Sequence, residues 1–98
     1  MWRQGDLFIQ PVPALPRTKD LLRHGVLLEG EATGHSHRIE NLDTAEVFQD
    51  RDNLYVRVVA DSARIIHQEH GPITLPRGMY RAWRQREYTP GSLTWVRD

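Results

Sequence analysis

The stretch "TAEVFQDRDNLYVRVVA" (residues 44–60) decides the fold. Two runs rich in β-branched and aromatic residues flank the polar group "DRDN" (50–53), whose short side chains favour a turn. The expectation is a β-hairpin, and the rest of the chain reads in the same way. Downstream, "ADSARIIHQEH" (60–70) gives another strand, with Ala63, Ile65 and His67 on one face because side chains alternate with period two. "GPITLPRG" (71–78) carries two breaks, at Gly71-Pro72 and at Pro76-Arg77-Gly78. "MYRAWRQREY" (79–88) is the longest uninterrupted strand candidate, and "SLTWVRD" (92–98) closes the chain after the turn "TPGS".

Upstream, "VLLEGEATGHSHRIE" (26–40) reads as one long strand or as two strands broken at glycine, with His35, His37 and Ile39 on a common face. "ENLD" (40–43) is a turn. "RTKDLLRHG" (17–25) suggests one helical turn ending at Gly25, with His24 in a loop. "GDLFIQPV" (5–12) begins as a strand with Leu7 and Ile9 on one face and Phe8 on the other. The three prolines of "PVPALP" (11–16) then require an edge or a connection. Seven or eight short strands with regular turns imply an all-β barrel or sandwich, formed as a single domain over 1–98.

Composition narrows the classes of function. The 13 basic residues balance 13 acidic ones, so no bulk field draws the chain to nucleic acid or to an anionic membrane. No apolar run reaches the roughly 18–20 residues of a membrane span, and "MWRQGDLFIQ" has no secretory pattern, so the expected location is cytoplasmic. Without cysteine, any metal would be held by nitrogen and oxygen. Neither a glycine-rich phosphate loop nor a G-x-S-x-G elbow occurs.

Four of the five histidines fall in two short clusters, "GHSH" (34–37) and "HQEH" (67–70). Neutral imidazole is the commonest metal ligand. Neighbouring strands lie about 4.8 Å apart, so His35, His37, His67 and His70 could converge on one divalent ion, zinc or another metal taking nitrogen and oxygen ligands. Glu69 or Glu40 would add an oxygen ligand, and Glu69 is the candidate acid or base of a metal-dependent hydrolase or related enzyme. The plainer alternative keeps these rings as surface residues or as core residues with both nitrogens hydrogen-bonded.

Arginines alternate with aromatic residues in "PRGMYRAWRQREYTP" (76–90). Arg84 and Arg86 are candidates to orient an anionic substrate. The same pattern also suits local binding of RNA or single-stranded DNA by phosphate contact and base stacking. Its simpler reading places Tyr80 and Trp83 in the core and the arginines on the rim. A non-catalytic interaction module anchored by Trp2, Trp83 or Trp95 is the remaining alternative, with a protein or small-molecule partner. Exposed sheet edges would also permit a homo-oligomer.

Two resemblances arise from these residues. "GHSHRIE" is similar to the first metal motif of the cupin barrels, in which an H-x-H pair precedes a glutamate; His35, His37 and Glu40 match in kind. That likeness implies a metal-binding barrel and covers the first motif only. Across Gly30–Pro90, "GEATGHSH", "EHGPITLPRGMYR" and "QREYTP" together resemble an uncharacterised family of small bacterial proteins. This second resemblance implies a shared fold and carries no activity to transfer.

Overall fold

The computed structural model describes residues 1–30 and 34–85. In chain order the strands are β1 (Trp2–Gln4), β2 (Leu7–Pro11), β3 (Asp20–Leu22), β4 (Val26–Glu29), β5 (Ser36–Ile39), β6 (Ala45–Asp50), β7 (Asn53–Ile66) and β8 (Ile73–Arg84). A 3-10 turn at Leu42–Thr44 precedes β6, capped by the Asn41 side chain, which accepts from the Asp43 amide. Among the described residues no helix is long and apolar enough to cross a membrane.

All pairings are antiparallel, and the described strands make one sheet ordered β1-β2-β8-β7-β5-β4, with β6 on β7 and β3 on β6. The hairpin expected at 44–60 is present, with Asp50 opposite Asn53. Its two-residue turn holds Arg51 at φ 60.

The long strand β7 organises the sheet because it changes neighbours along its length. Leu54–Val58 pair with β6, whereas Ile65 and Ile66 pair with β5. Between these halves Val58 faces Gly78 but Ser62 faces Pro76, so three residues of β7 oppose Arg77 alone. Such a bulge bends a strand and raises its twist. Arg77 spans it, with Nε donating to Ala60 O at 3.2 Å and Nη2 to Asp61 Oδ1 at 3.0 Å.

The bulge accounts for two corrections to the sequence reading. The runs 53–60 and 60–70 are not two strands, because the chain passes through the irregularity without turning. Pro76-Arg77-Gly78 does not end a strand either, since β8 runs from Ile73 to Arg84. Proline is tolerated there because β2 covers β8 only from Tyr80 onward, so no second ladder loses a donor at Pro76. Residues 20–22 form β3 on β6 instead of a helical turn. Cross-strand pairing with Val47–Gln49 outweighs the weak helical propensity of so short a segment.

The inner face is apolar. Leu7, Ile9, Val47, Val56, Ile65 and Leu75 are fully buried, joined by Tyr80 and Ala82. Each side chain of this size contributes about 1.5–3 kcal/mol when removed from water. Trp83 is not part of this core; its strand parity sends it outward, where it lies 5.9 Å from Phe8 and under Arg81 at 4.8 Å. Trp2 packs edge-on against Tyr80 at 5.5 Å. Arg86, Trp95 and the strand expected at 92–98 lie outside the described residues. The sheet curls until β1 meets β5 and β7: the Gln4 side chain reaches both His37 and the Ile65 carbonyl.

Candidate functional site

That curl brings the two histidine clusters together. β5 carries His37 on its inner face beside Ile39, and both are buried. His67 follows the last residue of β7, and His70 lies in the connection to β8. The ring centroids are 4.2 Å apart for His37–His67, 4.7 Å for His67–His70, 5.5 Å for His35–His67 and 6.1 Å for His37–His70. All four predicted histidines therefore occupy one place. Their orientation is that of packed rings: the His37 and His70 planes differ by only 11°. Among the described residues no three histidine or carboxylate donors already surround a common point.

Two residues that the sequence reading passed over define the polar centre. Gln4 is buried, and its Nε2 donates to Ile65 O at 2.9 Å and to Gly71 O at 2.8 Å. Those two acceptors fix the amide, because a flipped amide would set its oxygen against two carbonyls. Gln4 Oε1 must then face His37 Nδ1, 2.9 Å away, so Nδ1 carries the proton and donates. The other ring nitrogen, Nε2, lies 3.3 Å from Asp6 Oδ1.

Protonation of His37 is disfavoured. Burial is the largest cause of its lowered pKa, followed by the nearby His67, and together they outweigh the opposing pull of Asp6. Near neutral pH the ring is thus uncharged, and its bare Nε2 lone pair looks at a carboxylate. Two electron-rich atoms at 3.3 Å are brought into accord by a positive charge between them, either a proton or a metal ion.

Asp6 is held from its other side. Its Oδ2 accepts from Arg84 Nη1 at 3.1 Å, and its carbonyl accepts from the Gln85 amide at 2.8 Å. Arg84 also donates through Nη2 to the Glu29 carbonyl of β4. Gly5, at φ +61, begins the two-residue turn between β1 and β2 and passes directly over His70; a Cβ there would lie 2.6 Å from His70 Nε2. Only glycine permits that approach and that backbone conformation together.

The remaining predicted residues surround this centre. His67 Nδ1 accepts from the Glu69 amide at 3.0 Å, which leaves its proton on Nε2 in the neutral ring. Burial and the neighbouring His70 and His35 lower its pKa. The Glu69 carboxylate lies 3.7 Å from His35 Nδ1 and is largely exposed. Glu40 projects outward and pairs with Arg64 at 3.1 Å, so the carboxylates beside the histidines are Asp6, at His37, and Glu69, at His35. The described arginines of β8 are engaged: Arg77 by Asp61, Arg81 by Asn53 and Trp83, and Arg84 by Asp6.

A signal for Gln4 and Asp6 was present in the sequence. "RQGDLF" sets Gly-Asp between two short runs, a pattern that favours a two-residue hairpin turn. Pairing Gln4 with Leu7 across that turn gives β1 and carries Gln4 inward.

The protein is thus an antiparallel β domain with four histidines, a glutamine and an aspartate gathered where its sheet curls upon itself. The chain belongs to the family described as Domain of unknown function (DUF8820), matched over residues 3–85. No curated protein and no solved structure matches it.

Proposed function

We propose that this protein binds a divalent metal ion at the histidine cluster, with His37 Nε2 and Asp6 Oδ1 as the first two ligands and His70 as the third. The carrying observation is His37 Nε2 lying 3.3 Å from Asp6 Oδ1 while the opposite ring nitrogen lies 2.9 Å from Gln4 Oε1, a geometry we read as a bare Nε2 aimed at the carboxylate. Metal-bound histidines commonly donate their second ring N–H to an oxygen in this way, which fixes the tautomer and the aim of the lone pair. His67, whose ring lies 4.2 Å from that of His37 and 4.7 Å from that of His70, is the alternative third ligand. Closing the shell requires the packed rings to turn about their side-chain torsions, and His67 would also release the Glu69 amide.

Nitrogen and carboxylate donors without sulfur suit zinc, and also other first-row divalent ions. With three protein ligands and one open position, the ion would acidify a bound water and polarise a carbonyl or phosphoryl oxygen. Hydrolysis is the reaction such a centre would serve, with Glu69 at its margin as acid or base.

Titration of the purified protein with Zn²⁺ or Co²⁺, followed by calorimetry and by the visible spectrum of Co²⁺, tests this reading. Uptake of one equivalent is expected. His37→Gln and Asp6→Asn should each weaken it by about tenfold or more, as loss of a ligand does. Absence of stoichiometric uptake by the wild-type protein would overturn the proposal. So would unchanged affinity in a His37→Gln, His70→Gln double variant.

A further inference from the structure

On the outer face of β5 and β7, beside the histidine cluster, lies a shallow pocket of about 230 Å³ lined by Ser36, Arg38, Ile66, His67 and Gln68. Arg38 stands opposite Ile66 in the sheet register, so both side chains share that face. Ser36 precedes Arg38 by two positions, and strand alternation returns it to the same side.

The polar groups of this pocket are biased towards donors. Gln68 Oε1 accepts the Ser36 amide at 3.0 Å, which turns the Gln68 NH₂ group away from that bond. Neither this NH₂ group, nor the Ser36 hydroxyl, nor the Arg38 guanidinium has a partner among the described residues. Of the two carboxylates on this face, Glu40 is engaged by Arg64 and does not neutralise Arg38, while Glu29 stands opposite Ser36 at the margin and limits the ligand to one that reaches the Arg38 side.

We propose that the pocket between Ser36, Arg38 and Gln68 binds the oxyanion of a small molecule, phosphoryl or carboxylate. A guanidinium flanked by hydroxyl and amide donors matches an acceptor-only group in both charge and hydrogen bonding. The ligand is small because the surrounding charge offers no track for a polyanion: Arg64, Arg77 and Arg84 are each paired with a carboxylate. Extended phosphate backbones are bound by several unpaired cations at once. This inference goes beyond the metal reading and does not depend on it.

The test is a titration of the ¹⁵N-labelled protein with inorganic phosphate, and separately with acetate, at ionic strength held constant with sodium chloride. Saturable shifts are expected at the Ser36 amide, the Gln68 side-chain amide and Arg38 Nε. Saturation by phosphate alone assigns a phosphoryl ligand, and saturation by acetate alone a carboxylate. Arg38→Gln should weaken binding by about tenfold or more, the usual scale for losing a charge-assisted hydrogen bond. Gln68→Glu is a second, isosteric variant; it keeps the acceptor for the Ser36 amide, replaces the donor with a negative charge, and should abolish binding. Saturable shifts with neither anion would overturn the proposal, as would unchanged affinity in both variants while their spectra stay native away from the pocket.

Discussion

Gln4 and His37, thirty-three positions apart, are joined by a 2.9 Å hydrogen bond whose direction is dictated by two further bonds from the same glutamine. The amide thereby favours a proton on Nδ1 of the buried imidazole, although the Asp6 carboxylate faces Nε2. Long-range ¹⁵N spectra should show His37 protonated at Nδ1 near neutral pH in metal-free protein. A proton on Nε2 instead would remove the basis for metal capture at this ring. Gln4→Leu leaves two buried partners, the Ile65 carbonyl and His37 Nδ1, unsatisfied and frees the part-buried Gly71 carbonyl to water, and loss of one buried bond costs about 1–3 kcal/mol. A decrease of roughly 3 kcal/mol in urea unfolding free energy, with an unchanged denaturant slope, is the expected outcome.

Acid should weaken the metal-free fold. His37 and His67 both have pKa values below the ordinary 6.5, each chiefly through burial and then through a neighbouring histidine. The unfolded chain therefore binds protons that the native state refuses. Stability rises with pH wherever the unfolded state holds more protons. The contribution of these two rings is complete above the unfolded value and declines as pH falls from 6.5 through the lower native values. Melting temperatures measured across this window should fall on the acid side, and His37→Gln should flatten the slope. An equal slope in that variant would place the acid sensitivity elsewhere.

Gly5→Ala tests how closely the β1–β2 turn is fitted to the cluster. The substitution places a Cβ 2.6 Å from His70 Nε2 on a residue at φ +61. The left-handed backbone alone costs about 1–2 kcal/mol for a non-glycine residue. His70 is exposed and its ring can swing aside, so a loss of about 1–2 kcal/mol is expected, together with shifted His70 ring resonances. A cost below about 1 kcal/mol with unmoved His70 signals would mean that the turn has room to relax.

The strands of this fold were legible where alternation was strong. Leu7 and Ile9 face inward and Phe8 outward, as their period-two pattern implies, and the hairpin around Asp50–Asn53 follows from its polar turn. What eluded the sequence was continuity. Pro76 and Gly78 read as breakers, but a one-sided ladder and a bulge absorb both, and a bulge leaves no mark in the alternation of either flanking half. That His35, His37 and His67 could meet was legible from alternation near strand ends, whereas the direction of His70, which follows a bend, was not. The relative orientation of the rings, from edge-on for His35–His67 to stacked for His37–His70, was not legible either, because ring torsions answer to packing that only the folded sheet provides. Gln4 escaped because a three-residue strand such as β1 is too short to show a period, and Asp6 because it lies in the Gly5-Asp6 turn that follows it, a signal that pairs β1 with β2 only once β1 is recognised.

Arg84 was expected to meet an anionic substrate, yet its guanidinium is engaged by Asp6 Oδ2 at 3.1 Å and by the Glu29 carbonyl. With a cation on Asp6 Oδ1, this arginine would both aim the carboxylate and repel the ion. The two effects can be weighed. Asp6 is already fixed in its backbone by the β1–β2 ladder and by the Gln85 amide, so losing Arg84 frees one side-chain torsion, worth about 0.5–1 kcal/mol. A guanidinium and a divalent ion about 6 Å apart repel by about 5–6 kcal/mol at an effective dielectric near 20, and solvent access and salt screening reduce this to about 2–3 kcal/mol. Repulsion outweighs orientation. Arg84→Gln should therefore tighten Zn²⁺ binding by several-fold while lowering stability by about 1 kcal/mol, through loss of the Asp6 pair. Calorimetric titration beside urea unfolding reads both quantities. Weaker metal binding in this variant would show that Asp6 depends on Arg84 for its aim.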